Sequence, residues 1–110
     1  MSTTTVSNNS PIVILVVCGS GVATSTVVAE RIKEIAQNVN VPVDVHKAPV
    51  TAIHGEIGNL APDLIVNVTP VPDDVRIRTI SGINLVTGIN EDETETTIGN
   101  ALRDISDGKE

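Results

Sequence analysis

Six consecutive aliphatic residues, 12–17 (Ile-Val-Ile-Leu-Val-Val), run without a polar interruption and end in Cys18-Gly19-Ser20-Gly21. Five of the six are β-branched, which favours extended backbone. An unbroken apolar run of this length fits a strand buried on both faces, the environment of a parallel sheet. The glycines mark an abrupt turn. A helical pattern follows at once: Val28, Ile32, Ile35, Ala36 and Val39 share one face, with Glu30, Arg31, Lys33, Glu34 and Gln37 off it. Strand, tight turn and helix in that order restrict the chain to a small set of α/β folds.

The rest of the sequence continues the alternation. Asn40 and Pro42 close the first helix, and 41–45 alternates around Asp44 as a second strand. Residues 51–60 carry Ile53, Ile57 and Leu60 at helical spacing, weakened by Gly55 and Gly58. Residues 64–68 predict a third strand, closed by Thr69-Pro70. A short helix is expected over 73–80 and a fourth strand over 83–87. Asn90 with Glu93 resembles a capping box, and the acidic residues Glu91, Asp92, Glu93 and Glu95 suit the positive end of a helix dipole. Ile98, Leu102 and Ile105 supply the stripe of this last helix, and Gly108 marks its end. The expected architecture is an open four-stranded parallel sheet with helices on both faces, doubly wound and Rossmann-like. Residues 1–10, mostly Ser, Thr and Asn, read as a disordered tail, 11–106 as one domain and 107–110 as a C-terminal tail.

Composition narrows the function. Of 44 apolar residues 30 are Val or Ile, and Phe, Trp and Tyr are absent. No Phe, Trp or Tyr ring is there to stack a base, cage a quaternary ammonium or platform a sugar, which argues against single-stranded nucleic-acid platforms and aromatic cages. Seven basic against 14 acidic residues give a net charge of −7, which opposes duplex nucleic acid and anionic membrane surfaces. A single cysteine excludes an internal disulfide and points to a reducing, cytosolic compartment. The N-terminus lacks the features of a secretory signal, and the longest apolar run, seven residues, is too short to span a bilayer.

What remains is an anion site made of backbone and hydroxyls. In a doubly wound sheet, ligands bind beyond the carboxyl ends of the strands, where the strand order reverses. The first strand delivers Cys18 there, followed by Gly19, Ser20, Gly21, Val22, Ala23, Thr24, Ser25 and Thr26 at a helix start. Glycines permit close backbone approach, and successive N–H groups can converge on one anion. Such a cradle also favours a thiolate, the nucleophilic form of cysteine. Cys18 is therefore the candidate nucleophile for taking and giving a phosphoryl group, with 19–26 as its phosphate-binding loop. The GxG alone is weak evidence for a dinucleotide site, since Val22-Ala23-Thr24 breaks the pattern, and a Walker A lysine is missing. A cysteine phosphatase or arsenate reductase would carry Arg six residues after Cys, to clamp transition-state charge; position 24 is Thr. A non-catalytic anion-binding or redox-sensing module is the third reading. No metal-ligand spacing is present, and no cofactor is expected.

The segment 16–34, VVCGSGVATSTVVAERIKE, resembles the galactitol-type IIB component of the phosphoenolpyruvate-dependent sugar phosphotransferase system. The resemblance covers roughly 11–106; the Ser/Thr/Asn-rich tail departs from the compact family pattern. It implies a four-stranded parallel sheet with flanking helices, Cys18 as phosphorylation site and 19–26 as a P-loop-like phosphate cradle. It implies a IIA partner that donates from phosphohistidine and a membrane-embedded IIC partner that presents the sugar or polyol. The protein would then be a cytoplasmic phosphotransferase, peripheral to the inner membrane through IIC. Secondary candidates are Thr69, in reach of the cradle; Asp73 and Asp74, as a general acid or helix caps; and His46 and His54, phosphoacceptor types in other branches of the system. Lys47, Arg76 and Arg78 are the basic residues expected near the active end.

Overall fold

The computed structural model describes residues 11–19 and 22–109. Strand β1 (Ile12–Cys18) is the predicted apolar run, with five of its residues below 2% exposure. Helix α1 (Val22–Asn38) follows, then β2 (Val43–Pro49), a 3-10 turn (Val50–Ala52) and α2 (Ile53–Leu60). Next come β3 (Leu64–Asn67), β4 (Thr79–Ser81), α3 (Ile83–Thr87) and α4 (Glu91–Lys109). The sheet order is β2-β1-β3-β4, with every neighbouring pair parallel.

Alternation along β1 divides the core between the two faces. Ile12, Ile14 and Val16 join Leu64 and Val66 under α1, α3 and α4, where Val28, Ile32, Leu85, Ile98 and Leu102 close the larger core. Leu15, Val17 and Ile65 face the other way, toward Ile53, with Ile57 and Leu60 of α2 packed beside them. The chain crosses on one face from β1 to β2 and on the other from β2 to β3. The doubly wound fold is as expected, and the strand order reverses between β1 and β3.

Two expectations fail in the last third. Residues 73–80 form no helix, and Ile83–Thr87 is helix α3 rather than a strand. Pro70 and Pro72 remove backbone donors at the head of the 70–78 segment. Val71, Val75 and Ile77 instead pack as a covering loop on the second core, which the short α2 leaves incomplete. The edge position of the sheet goes to Thr79–Ser81, in register with Ile65, Val66 and Asn67. Gly82 N–H then donates to the Asn67 carbonyl at 2.8 Å and turns the chain off the sheet. Gly88, at φ 80°, ends α3 by donating to the Asn84 carbonyl, a left-handed helix stop. The last helix begins at Glu91 with its acidic first turn but continues through Gly108. Asn90 precedes it at φ 55°, not the extended geometry of a capping-box residue.

Candidate functional site

Cys18 is the last residue of the central strand β1, at the carboxyl end of the sheet and beside the strand-order reversal. Its side chain is buried, at 6% exposure. The sulfur lies 3.7 Å from the Ala48 carbonyl of β2, the arrangement of a thiol donating to oxygen. A carbonyl accepts from S–H and offers nothing to an anion, so this contact is one that a thiol makes and a thiolate does not.

The remaining loop residues fall where a strand-to-helix turn puts them. Gly19 is exposed directly after β1. Ser20 and Gly21 lie outside the described residues. Val22, Ala23, Thr24 and Ser25 open α1, so their backbone N–H groups include the helix's unpaired donors at the carboxyl end of the sheet. Thr26 is in the second turn, and its hydroxyl accepts from Lys47 Nζ of β2 at 3.4 Å.

Thr69 belongs to the same neighbourhood. A Cβ built on Gly19 would stand 3.9 Å from Thr69 Oγ1, so the end of β3 borders the loop across the reversal point. A shallow cleft of about 270 Å³ opens beside it, lined by Asn67, Val68, Thr69, Pro70, Ser81 and Ile83. Asn67 Nδ2 donates to the Thr69 carbonyl at 2.8 Å and fixes the turn that presents this threonine.

The other candidates separate. Asp74 accepts from His54 Nε2 at 3.1 Å, tying the start of α2 to the 70–78 loop; both side chains are exposed. Neither Asp73 nor Asp74 caps a helix, because no helix forms there. His46 pairs with Asp44 at 3.0 Å on the solvent side of β2. Arg78 sits at the amino end of β4, opposite to Cys18, and faces Asp104 of α4 at 3.8 Å, which corrects its expected place near the active end. Arg76 is exposed in the covering loop. Of the three basic residues, Lys47 is the one whose charged end contacts the loop-helix segment.

Sequence comparison agrees with this architecture. The family model of the phosphotransferase-system lactose/cellobiose-specific IIB subunit matches residues 13–99. The IIB component SgcB of Escherichia coli (strain K12) is 32% identical over 77% of this chain and 90% of its own length. The galactitol-specific EIIB component of the same strain is 52% identical over 40 residues, 36% of this chain. That alignment spans 43% of the relative, less than half its length. Among solved structures, the lactose-specific IIB component domain from Streptococcus pneumoniae superposes with a TM-score of 0.52 at 20% identity, covering 87% of this chain and 95% of that one. This last likeness is one of fold.

Proposed function

The chain belongs to the IIB subunits of the sugar phosphotransferase system, and from that premise we propose that it is a phosphocarrier working through Cys18. Cys18 accepts a phosphoryl group from the phosphohistidine of a IIA protein and passes it to a sugar or polyol held by a membrane-embedded IIC protein. The observation that carries the reading is the placement of Cys18 at the carboxyl end of the central strand, directly before a helix start.

Loading begins with the thiol giving its proton to solvent water as the sulfur leaves Ala48 and turns, as thiolate, toward the loop. It attacks phosphorus in line: the S–P bond forms as the N–P bond breaks, and the departing electron pair returns to the imidazole nitrogen. Backbone N–H groups of 19–26 hold the three phosphoryl oxygens, with hydroxyls of Ser20, Thr24, Ser25 and Thr26 in support. In unloading, a substrate hydroxyl attacks phosphorus, its proton goes to a base in the acceptor's site, and the S–P pair returns to sulfur. Thr24 stands where a phosphatase carries arginine, so the loop lacks the group that drives rapid hydrolysis. Slow hydrolysis is what a carrier needs.

The chain works at the cytoplasmic face of the inner membrane through IIC. Among the described residues no helix is long and apolar enough to cross a membrane. Galactitol or a similar polyol is the proposed acceptor, supported by the closeness of 40 residues to a galactitol-specific relative. The test is reconstitution of the relay. With phosphorylated IIA, IIC-bearing vesicles and galactitol, the intact chain yields polyol phosphate and Cys18→Ala yields none. Equal product from the variant would overturn the role of Cys18. Product with another sugar alone would overturn only the choice of acceptor.

A further inference from the structure

The phosphoryl group that Cys18 would carry brings nearly two negative charges into a chain of net charge −7. The segment 18–26, position 24 included, contains no basic side chain to meet it. The structure supplies one from a different strand. We propose that Lys47, held by Thr26, is the cationic group of the phosphoryl site. It would take the role that arginine plays within the loop of a cysteine phosphatase.

Four features converge on this residue. In the β1–β2 register Val16 pairs with Lys47 and Cys18 with Pro49, so Lys47 is the diagonal neighbour of Cys18 on the adjoining strand. Alternation puts the two on one face: Val16 packs in the α1-side core, as do Val43 and Val45 of β2, and Cys18 and Lys47 continue those rows. The Cys18 sulfur already leans toward β2, 3.7 Å from the carbonyl of Ala48, the residue after Lys47. Finally, Lys47 Nζ contacts Thr26 Oγ1 at 3.4 Å. Side chains on a helix tilt toward its N-terminus, so the hydroxyl of Thr26 lies over the turn that opens α1. That contact draws the ammonium toward the helix start, where the phosphoryl group would sit.

The charge is available. Among the described residues Lys47 has no carboxylate partner, whereas Arg31, Lys33 and Arg78 each face one. The nearest ionisable groups of β2, Asp44 and His46, alternate to the opposite face and bond each other. On α1, Glu30 follows Thr26 by one turn and is engaged by Lys33 at 3.6 Å. A lysine also suits a carrier better than arginine. It offers a mobile point charge instead of a rigid two-pronged clamp, so the dianion is stabilised without being gripped as a transition state.

The inference rests on Cys18 being the phosphoryl acceptor, and its test separates the two. Wild-type chain, Lys47→Met and Lys47→Arg are loaded from phosphorylated IIA and followed by phosphorus NMR as pH is varied. A nearby cation favours the dianion, so removing it raises the pH at which the S-phosphate takes its second charge. Lys47→Met should move that midpoint up by about half a unit or more and slow loading by about tenfold. Lys47→Arg should restore the wild-type midpoint. Lys47 is exposed, and its replacement leaves both cores intact. Loaded wild type and Lys47→Met with the same midpoint would overturn the role of Lys47 and leave Cys18 untouched. A wild-type chain that takes no phosphoryl group on Cys18 overturns both.

Discussion

At the scale of single residues, the most constrained position beside the site is Gly82. A Cβ there would stand 2.6 Å from Val66 Cγ1 and 3.4 Å from Val28 Cγ1. Both valines are fully buried and stiff at χ1, so neither can move aside cheaply. Gly82→Ala should cost about 1–3 kcal/mol in urea unfolding. Combined with Val66→Ala it should cost less than the two changes summed, because the second removes the clash made by the first. Strict additivity would show that the glycine serves conformation and not space. The residue scale is also where the sequence is most and least readable. The position of Cys18 is legible, since an uninterrupted apolar run followed by Gly-Ser-Gly predicts a buried strand ending in a turn, and Cys18 does end β1. Lys47 is expected near the active end only alongside Arg76 and Arg78; what singles it out is the register of β2 against β1, fixed by packing across the sheet and not by any local pattern. Thr69 is intermediate, because the end of a third parallel strand returns to the same edge as the first.

At the scale of elements, the long helices and β1 follow from periodicity, while the β3–α3 region does not. Strand β4 has a single apolar residue, Ile80, between Thr79 and Ser81. Three residues at a sheet edge carry no usable alternation, and a short edge is also poor at recruiting a foreign strand. Ile83–Thr87 looks like strand because Ile, Leu and Val dominate it; the flanking Gly82 and Gly88 decide otherwise through a turn and a helix stop. The contact between α1 and α4 is likewise tertiary. Arg31 Nη2 donates to Glu91 at 2.7 Å and also to Glu95, bringing two carboxylates of one helix face to one guanidinium. The group is about a third exposed, with 31% side-chain accessibility, so its energy is modest. Arg31→Met keeps the apolar stem and should lower stability by about 1 kcal/mol. It also leaves Glu91 and Glu95 repelling each other one turn apart. Urea midpoints at low and high salt check this: the gap between variant and wild type should shrink as salt rises. A salt-independent gap would assign the effect to lost packing of the stem.

At the scale of the molecule, the two faces of the sheet differ in what they carry. One bears α1 and α4 over the larger aliphatic core; the other bears α2 and the 70–78 loop over a smaller one. The crossovers on opposite faces create the reversal between β1 and β3, and at the carboxyl ends of these strands Cys18 closes β1 while Gly19 borders Thr69. That much was legible from the order of strands and helices. The absence of aromatic residues fits the proposed function, in which this domain would carry an anion on backbone and small polar groups and a partner would recognise the sugar. In the proposed function the anion rides on the sulfur of Cys18. Phosphorus NMR of the chain after loading from phosphorylated IIA tests it most directly. One phosphothiolate resonance is expected, absent from Cys18→Ala. A phosphoramidate signal from His46 or His54, or a phosphate ester, persisting in Cys18→Ala would contradict it.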